Sequence, residues 1–280
     1  MSQEHEAVYL PTDDPNVYES TPIANAGWYD EGQHGGAIAS LIVGHVEKLP
    51  TLVPMDVARI TVELLRVVPL APLRIETRVI REGKRIQIVE AQVMDLAGTV
   101  VTAAWVQRLR AARIEIPDDA GPGPNALAAP QECPSVGDDP WGAGRPDKPM
   151  FYRDAVELRE IYGKFAEPGP AAIWVRLKVG VVAGEEPTPA QRAVAAADFG
   201  NGLSPQLDVA HWVFMNTDLT VHLARPPVSE WVALEARSLY TDTGRAVSVG
   251  TLSDPEGRFG NSSQTLYVDR ISRLSPPDDS

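Results

Sequence analysis

One acid stands alone in the segment Gln191 to Pro205, QRAVAAADFGNGLSP. Ala193, Ala195, Ala196 and Ala197 leave little side-chain bulk around Asp198. Residues this small let a helix lie close against a sheet, which takes a carboxylate partly out of water. A carboxylate held in that way is suited to orienting a water or taking its proton. Thr188 is a natural N-cap for the helix, with Pro189 at its first position. Gly200 and Gly202 break it. Asp198 therefore falls near the C-terminal end, where the helix dipole does not favour negative charge. No neighbour in sequence can pair with it.

The elements around this helix occur twice. In the first half, EGQHGGAIASLIVGHVEKL opens with a glycine-rich turn and becomes a buried helix from Gly36, with Ile38, Leu41, Ile42 and Val46 as its apolar face. Four strand-like stretches follow: ARITVELLRVV, APLRIETRVIREG, KRIQIVEAQVMDLAG and TVVTAAWVQRLRAA. In the second half AAIWVRLKVGVV reads as a strand, TPAQRAVAAADFGNGLSP as the helix, and TDLTVHLAR, EWVALEARSLYTDTG, RAVSVGTLSDPEG and NSSQTLYVDR as further strands. Sliding the chain by 159 positions lays ITVELLR on LTVHLAR and Gly98 on Gly257. Two matching strand–helix–meander units predict duplication of one α+β domain. Residues 1–112 form the first unit and 151–280 the second. Residues 113–150, rich in Pro, Gly and Asp, read as a surface linker with little regular structure. Trp141 would pin it to the body. Residues 1–20 read as an irregular acidic arm, and TPIANAGWYD as a first short strand.

Differences between the duplicated halves are informative. By this sliding, Asp198 falls near Ala39, Asn216 on Val57 and Gln264 on Trp105. The second half thus carries three hydrogen-bonding residues where the first is apolar. Their elements are neighbours in a meander wrapped on a helix.

Composition narrows the classes. The hydrophobic fraction of 44% supports a sizeable core, and no apolar run reaches membrane-spanning length. The polar, acidic N-terminus lacks a leader pattern. The single Cys133 excludes an internal disulfide, and no Cys/His cluster offers a metal site or implies a cofactor. These features predict a cytoplasmic protein. A net charge of −13 argues against nucleic acid as a partner, while leaving room for an anionic ligand met by a few local cations.

The ordered motifs resemble the acyl-CoA thioesterase II (TesB-like) branch of the thioesterase superfamily. The family's Ala-Ser-Asp-Phe-Asn-like helix segment reads Ala196, Ala197, Asp198, Phe199, Gly200. Its Thr-x-Asp, seven residues before Arg-Pro, reads Asn216, Thr217, Asp218 before Arg225 and Pro226. Its final-strand Gln is Gln264, and its Phe-Gly-Gly reads His34, Gly35, Gly36. The resemblance implies a double hotdog: two tandem units sharing a continuous antiparallel sheet around two long helices. It implies an acyl-CoA substrate, further association into a homo-oligomer, and a water held by the Asp, hydroxyl and Gln positions. Asn216 stands where the hydroxyl is expected, with Thr217 beside it. Neighbours on a strand face opposite ways, so only one of them can serve.

A thioester is activated toward attack, so a positioned water, a base and oxyanion donors suffice. Asp198 takes or orients the water's proton, and Gln264 and Asn216 fix its direction. The backbone N–H groups of Gly35 and Gly36, opening the first helix, polarise the carbonyl, with Thr217 as a further substrate contact and His34 either another or a local cap or packing residue of that helix. Two other classes fit the same fold. One is a protein that binds acyl-CoA or fatty acid without turnover. The other, an enoyl-CoA hydratase, needs a His paired with the acid and ranks last because no His neighbours Asp198 in sequence.

Overall fold

A computed structural model describes residues 6–27, 31–117, 120–121, 126–137 and 148–271. The first half holds strands β1 (Ala7–Pro11) and β2 (Val17–Ser20), helix α1 (Gly35–Glu47), and strands β3 (Met55–Leu64), β4 (Leu73–Arg81), β5 (Ile86–Asp95) and β6 (Val100–Arg110). The second holds β7 (Val156–Tyr162), β8 (Ala171–Leu177), β9 (Gly180–Val182), α2 (Pro189–Ala197) and the short α3 (Gly200–Leu203). It continues with β10 (Trp212–Asn216), β11 (Asp218–Leu223), β12 (Val232–Tyr240), β13 (Arg245–Asp254) and β14 (Gly257–Arg270).

All fourteen strands join one sheet in the order β7-β8-β12-β13-β14-β11-β3-β6-β5-β4-β2-β1-β9, with β10 also on β14. The two halves meet where β3 pairs antiparallel with β11. Alternation decides which face is inward: along β5, Gln87, Val89, Ala91 and Val93 are buried while their neighbours are less so. These inward faces wrap α1, whose residues from Gly36 to Val46 are all buried. This is the double hotdog the motifs implied.

Several elements depart from expectation. The N-terminal arm is not irregular, since β1 and β2 lie in the sheet and Val8 and Tyr9 are fully buried. The pairing of β1 with β9 is parallel, so the sheet is mixed. AAIWVRLKVGVV divides into β8 and β9, and β9 leaves the hairpin to meet β1. A 3-10 turn over Pro22–Ala24 stands where a first strand was expected, and residues 28–30 of that stretch lie outside the described residues. Trp141 also lies outside them. The described part of the linker has a 3-10 turn (Pro130–Glu132), and its end is tied down. Cys133 is buried, Trp174 Nε1 donates to the Ala128 carbonyl at 2.8 Å, and Val136 N–H donates to Leu158.

The second helix is shorter than expected. Thr188 caps it with Pro189 at its first position, as expected, and Gln191 completes a capping box, but α2 ends at Ala197 and α3 resumes at Gly200. Asp198 occupies the break.

Candidate active site

The break at Asp198 builds the site. The residue is 5% exposed and sits at the C-terminal end of α2, where the dipole disfavours it. The compensation comes from the other half. Gly36 N–H, in the first turn of α1, donates to Asp198 Oδ2 at 2.6 Å. The carboxylate thus occupies an anion site at a helix N-terminus. His34 Nδ1 lies 3.0 Å from the same oxygen. On the other side, Asn216 Nδ2 donates to Oδ1 at 2.8 Å and Gln264 Nε2 at 3.1 Å. The trio distinguished by the duplication therefore meets on one carboxylate.

Glycines allow this approach. A Cβ on Gly35 would stand 2.8 Å from both Asp198 carboxylate oxygens. A Cβ on Gly36 would stand 3.0 Å from the Ala195 carbonyl oxygen. Gly200 has the same role toward the amide, for its Cβ would lie 2.9 Å from Gln264 Oε1. That oxygen accepts Asn201 N–H at 3.0 Å, which turns Nε2 toward the acid. Asn201 is the residue the sequence reading missed. Its side chain donates to the Phe214 carbonyl at 3.2 Å and accepts Gly202 N–H at 2.7 Å. The visible signal was the pair of glycines flanking it.

The expected oxyanion donors separate. Gly36 N–H is committed to Asp198, so it is not available to a substrate carbonyl. Gly35 N–H makes no hydrogen bond within the described residues and borders the cavity. Thr217 is exposed on the cavity rim and its Oγ1 donates to the Thr265 carbonyl at 3.3 Å. Asn216, and not Thr217, faces the acid. Aligning Gln264 with Trp105 also fails by one residue. Thr61 pairs with Trp105 in β3–β6, and its repeat mate Thr220 pairs with Ser263 in β11–β14. The inward Gln264 therefore corresponds to the inward Val106, because a one-residue slip exchanges the faces of a strand.

The site opens into a cavity of about 310 Å³. Its polar end is His34, Gly35, Asp198, Asn201 and Asn216, and Leu64, Val67, Val68 and Met215 make its walls apolar. Arg66 is the cation on its described rim. His34 packs against two rings, stacked on Phe151 at 4.8 Å and tilted against Phe199 at 5.0 Å, and the two phenyl rings lie 6.3 Å from each other. Among the described residues no group of His, Cys, Asp and Glu could hold a metal ion, and no helix is long and apolar enough to cross a membrane.

Two family models match the chain: the acyl-CoA thioesterase N-terminal domain over residues 25–108 and the acyl-CoA thioesterase C-terminal domain over residues 130–268. No curated protein matches. Among solved structures, a candidate thioesterase from Novosphingobium aromaticivorans is 18% identical with a TM-score of 0.72, covering 93% of this chain and 98% of its own. A hot dog fold protein from Alicyclobacillus acidocaldarius is 17% identical with a TM-score of 0.68, covering 92% and 95%. The acyl-CoA thioesterase II TesB2 of Mycobacterium marinum is 16% identical with a TM-score of 0.63, covering 94% and 96%. At these identities the likeness is one of fold.

Proposed function

Because the chain belongs to the acyl-CoA thioesterase family, we propose that it hydrolyses acyl-CoA thioesters to the free acid and coenzyme A at the Asp198 cluster. The observation that carries this reading is the convergence of Asn216, Gln264 and Gly36 on one buried carboxylate beside a half-apolar cavity. The acyl chain lies against Leu64, Val67, Val68 and Met215. Gly35 N–H faces the developing oxyanion, where a fixed donor at a helix start is worth most. A water held at the Asp198–Asn216–Gln264 cluster attacks the carbonyl, and its proton passes into the network centred on Asp198. Arg66 meets the anionic carrier at the rim. Thiol release from a panel of acyl-CoA esters, wild type against Asp198→Asn, tests the reading. A wild type that binds the esters but releases no thiol would favour the acyl-CoA-binding alternative.

One observation favours a second reading. The hydratase ranked last for want of a His beside Asp198 in sequence, yet His34 reaches it from the other half at 3.0 Å. Loss of enoyl-CoA absorbance without thiol release would select that reaction.

A further inference from the structure

We infer that the substrates are short-chain acyl-CoA esters, of about six acyl carbons or fewer, and that Gln33, backed by Tyr9, is the wall that stops a longer chain. The inference rests on the hydrolase reading above and names its substrate class.

The cavity has a mouth and a closed end. Arg66, Val67, Thr217 and Tyr267 are exposed and form the mouth, whereas Gln33 and Val68 are buried with Asp198 at the inner end. Gln33 N–H donates to the Val68 carbonyl at 2.8 Å, so these two residues close that end together.

Gln33 is held against swinging aside. Its Oε1 accepts the Tyr9 hydroxyl at 2.5 Å, and its Nε2 donates to the Pro69 carbonyl at 2.7 Å. Tyr9 is fully buried, so moving the amide would strand that hydroxyl in the core. An amide pinned through both its oxygen and its nitrogen is a rigid polar stop at the end of an apolar passage.

The other ways deeper are filled. Between the helices, Gln191 Nε2 donates to the Ser40 carbonyl at 3.2 Å, and the same side chain covers Gly44 one turn further along α1. Beyond His34, the buried rings of Phe151, Phe199 and Phe165 pack on one another.

Size sets the limit. The cavity of about 310 Å³ lies at the lower end of the range for ligand sites. At about 30 Å³ for each water-sized group, it holds about ten. The attacking water, the carbonyl oxygen, the sulfur and the carrier's first carbon take about four of these places, which leaves about six for acyl carbons.

Thiol release from a saturated series, acetyl- to palmitoyl-CoA, below micelle-forming concentrations, tests this in the wild type, Gln33→Ala and Val68→Phe, with thermal melting beside it. In the wild type, kcat/KM should rise about fourfold for each methylene that finds apolar wall. It should stop rising at about six carbons and be on the order of tenfold lower with lauroyl-CoA. Gln33→Ala should move the peak to longer chains and Val68→Phe to shorter ones. Gln33→Ala also leaves the Tyr9 hydroxyl without its acceptor; if it does not fold, Val68→Phe decides alone. A wild type that hydrolyses palmitoyl-CoA as fast as butyryl-CoA overturns the inference and leaves the hydrolase reading standing. So does a wild-type peak that neither variant moves, for the limit is then set elsewhere. If no ester releases thiol, the hydrolase reading falls, and calorimetric binding of the same series decides on the wall. Affinity that stops rising at about six carbons supports it, and affinity that rises on to palmitoyl-CoA overturns it.

Discussion

Thr220 donates its hydroxyl hydrogen to the Thr61 hydroxyl at 3.2 Å across the β3–β11 seam, and the two are equivalent residues of the repeat, 159 positions apart. A residue can face its own repeat mate in antiparallel register only beside the pseudo-twofold axis. That axis makes the sheet continuous and brings the two helices together under it. It also lets the first turn of α1 serve the acid at the end of α2.

Asp198→Asn should lower kcat on the order of 10²–10⁴-fold. It should also cost stability, although the amide is isosteric. Three N–H donors surround the carboxylate, and an Asn side chain would turn its own NH₂ against at least one of them. We expect about 1–3 kcal/mol, seen as several degrees in Tm. Calorimetry checks this, and an unchanged Tm would mean that these three contacts do not hold in solution.

Gly35→Ala should separate activity from stability. Alanine favours the helix by about 0.5–1 kcal/mol. Its Cβ would nevertheless meet both Asp198 oxygens at 2.8 Å and push the acid aside. The expected outcome is a Tm within a few degrees of wild type and a loss of rate of about tenfold or more. Steady-state kinetics beside melting curves read both.

At the amide positions, Asn216→Asp should cost more activity than Asn216→Ala. It places a second carboxylate where a donor now stands 2.8 Å from Asp198 Oδ1, and two such charges resist sharing a site. Asn216→Thr should keep activity if the hydroxyl reaches the same oxygen. Gln264→Ala should lower kcat by less than Asp198→Asn does. The kcat order of these four variants with one acyl-CoA is the check.

Arg66→Glu should raise KM for CoA esters about fivefold, on the order of 1 kcal/mol for a solvent-exposed charge contact. The effect should shrink as salt is added. Short uncharged thiol esters lacking the nucleotide should show no change. Equal KM values for wild type and variant on CoA esters would place the carrier elsewhere.

Arg225 and Asp254 give a pH prediction. Asp254 is wholly buried; burial raises its carboxyl, but the two-pronged Arg225 pair (2.6 and 2.7 Å) and the Val228 and Glu256 N–H groups outweigh it, so the net shift is downward. A carboxyl lowered on folding stabilises fully above its unfolded value, about 3.9, and this is lost as pH falls through the lower folded value. Asp254→Asn should therefore be least stable relative to wild type above about pH 5, the gap closing as the pH falls below that. Urea unfolding across that range measures it, and a gap independent of pH would contradict the assignment.

Much of the site was legible because duplication makes asymmetry visible: Asp198, Asn216 and Gln264 were polar where their counterparts were apolar. The match of Gln264 to Trp105 still failed, since sliding a sequence cannot see the irregular registers of these strands. His34 was noticed for its place before a helix, but its partner lies 164 residues away, and only the paired halves bring them together. The arm and β10 were missed for a different reason. AVYLP and WVFMN are short, and a five-residue apolar run becomes a strand only when an edge is there to receive it. For β1, one such edge is β2 and the other is β9, on the other half of the chain.

The β1–β9 pairing has a consequence for how the protein is made. Tyr9 is fully buried, and its hydroxyl donates to Gln33 Oε1 at 2.5 Å, so the N-terminal strand is seated deep in the first half. Yet the partner of Ala7 is Gly180, and that of Tyr9 is Val182. A ribosome delivers β1 long before β9 exists. Until then the nascent first half holds an open strand edge at β1 and another at β3, where β11 has yet to arrive. Contacts this distant in sequence close late and slow folding. Newly synthesised chains are thus most prone to associate through strand edges in the interval between the two halves, and a chaperone that acts on this protein has that interval in which to act.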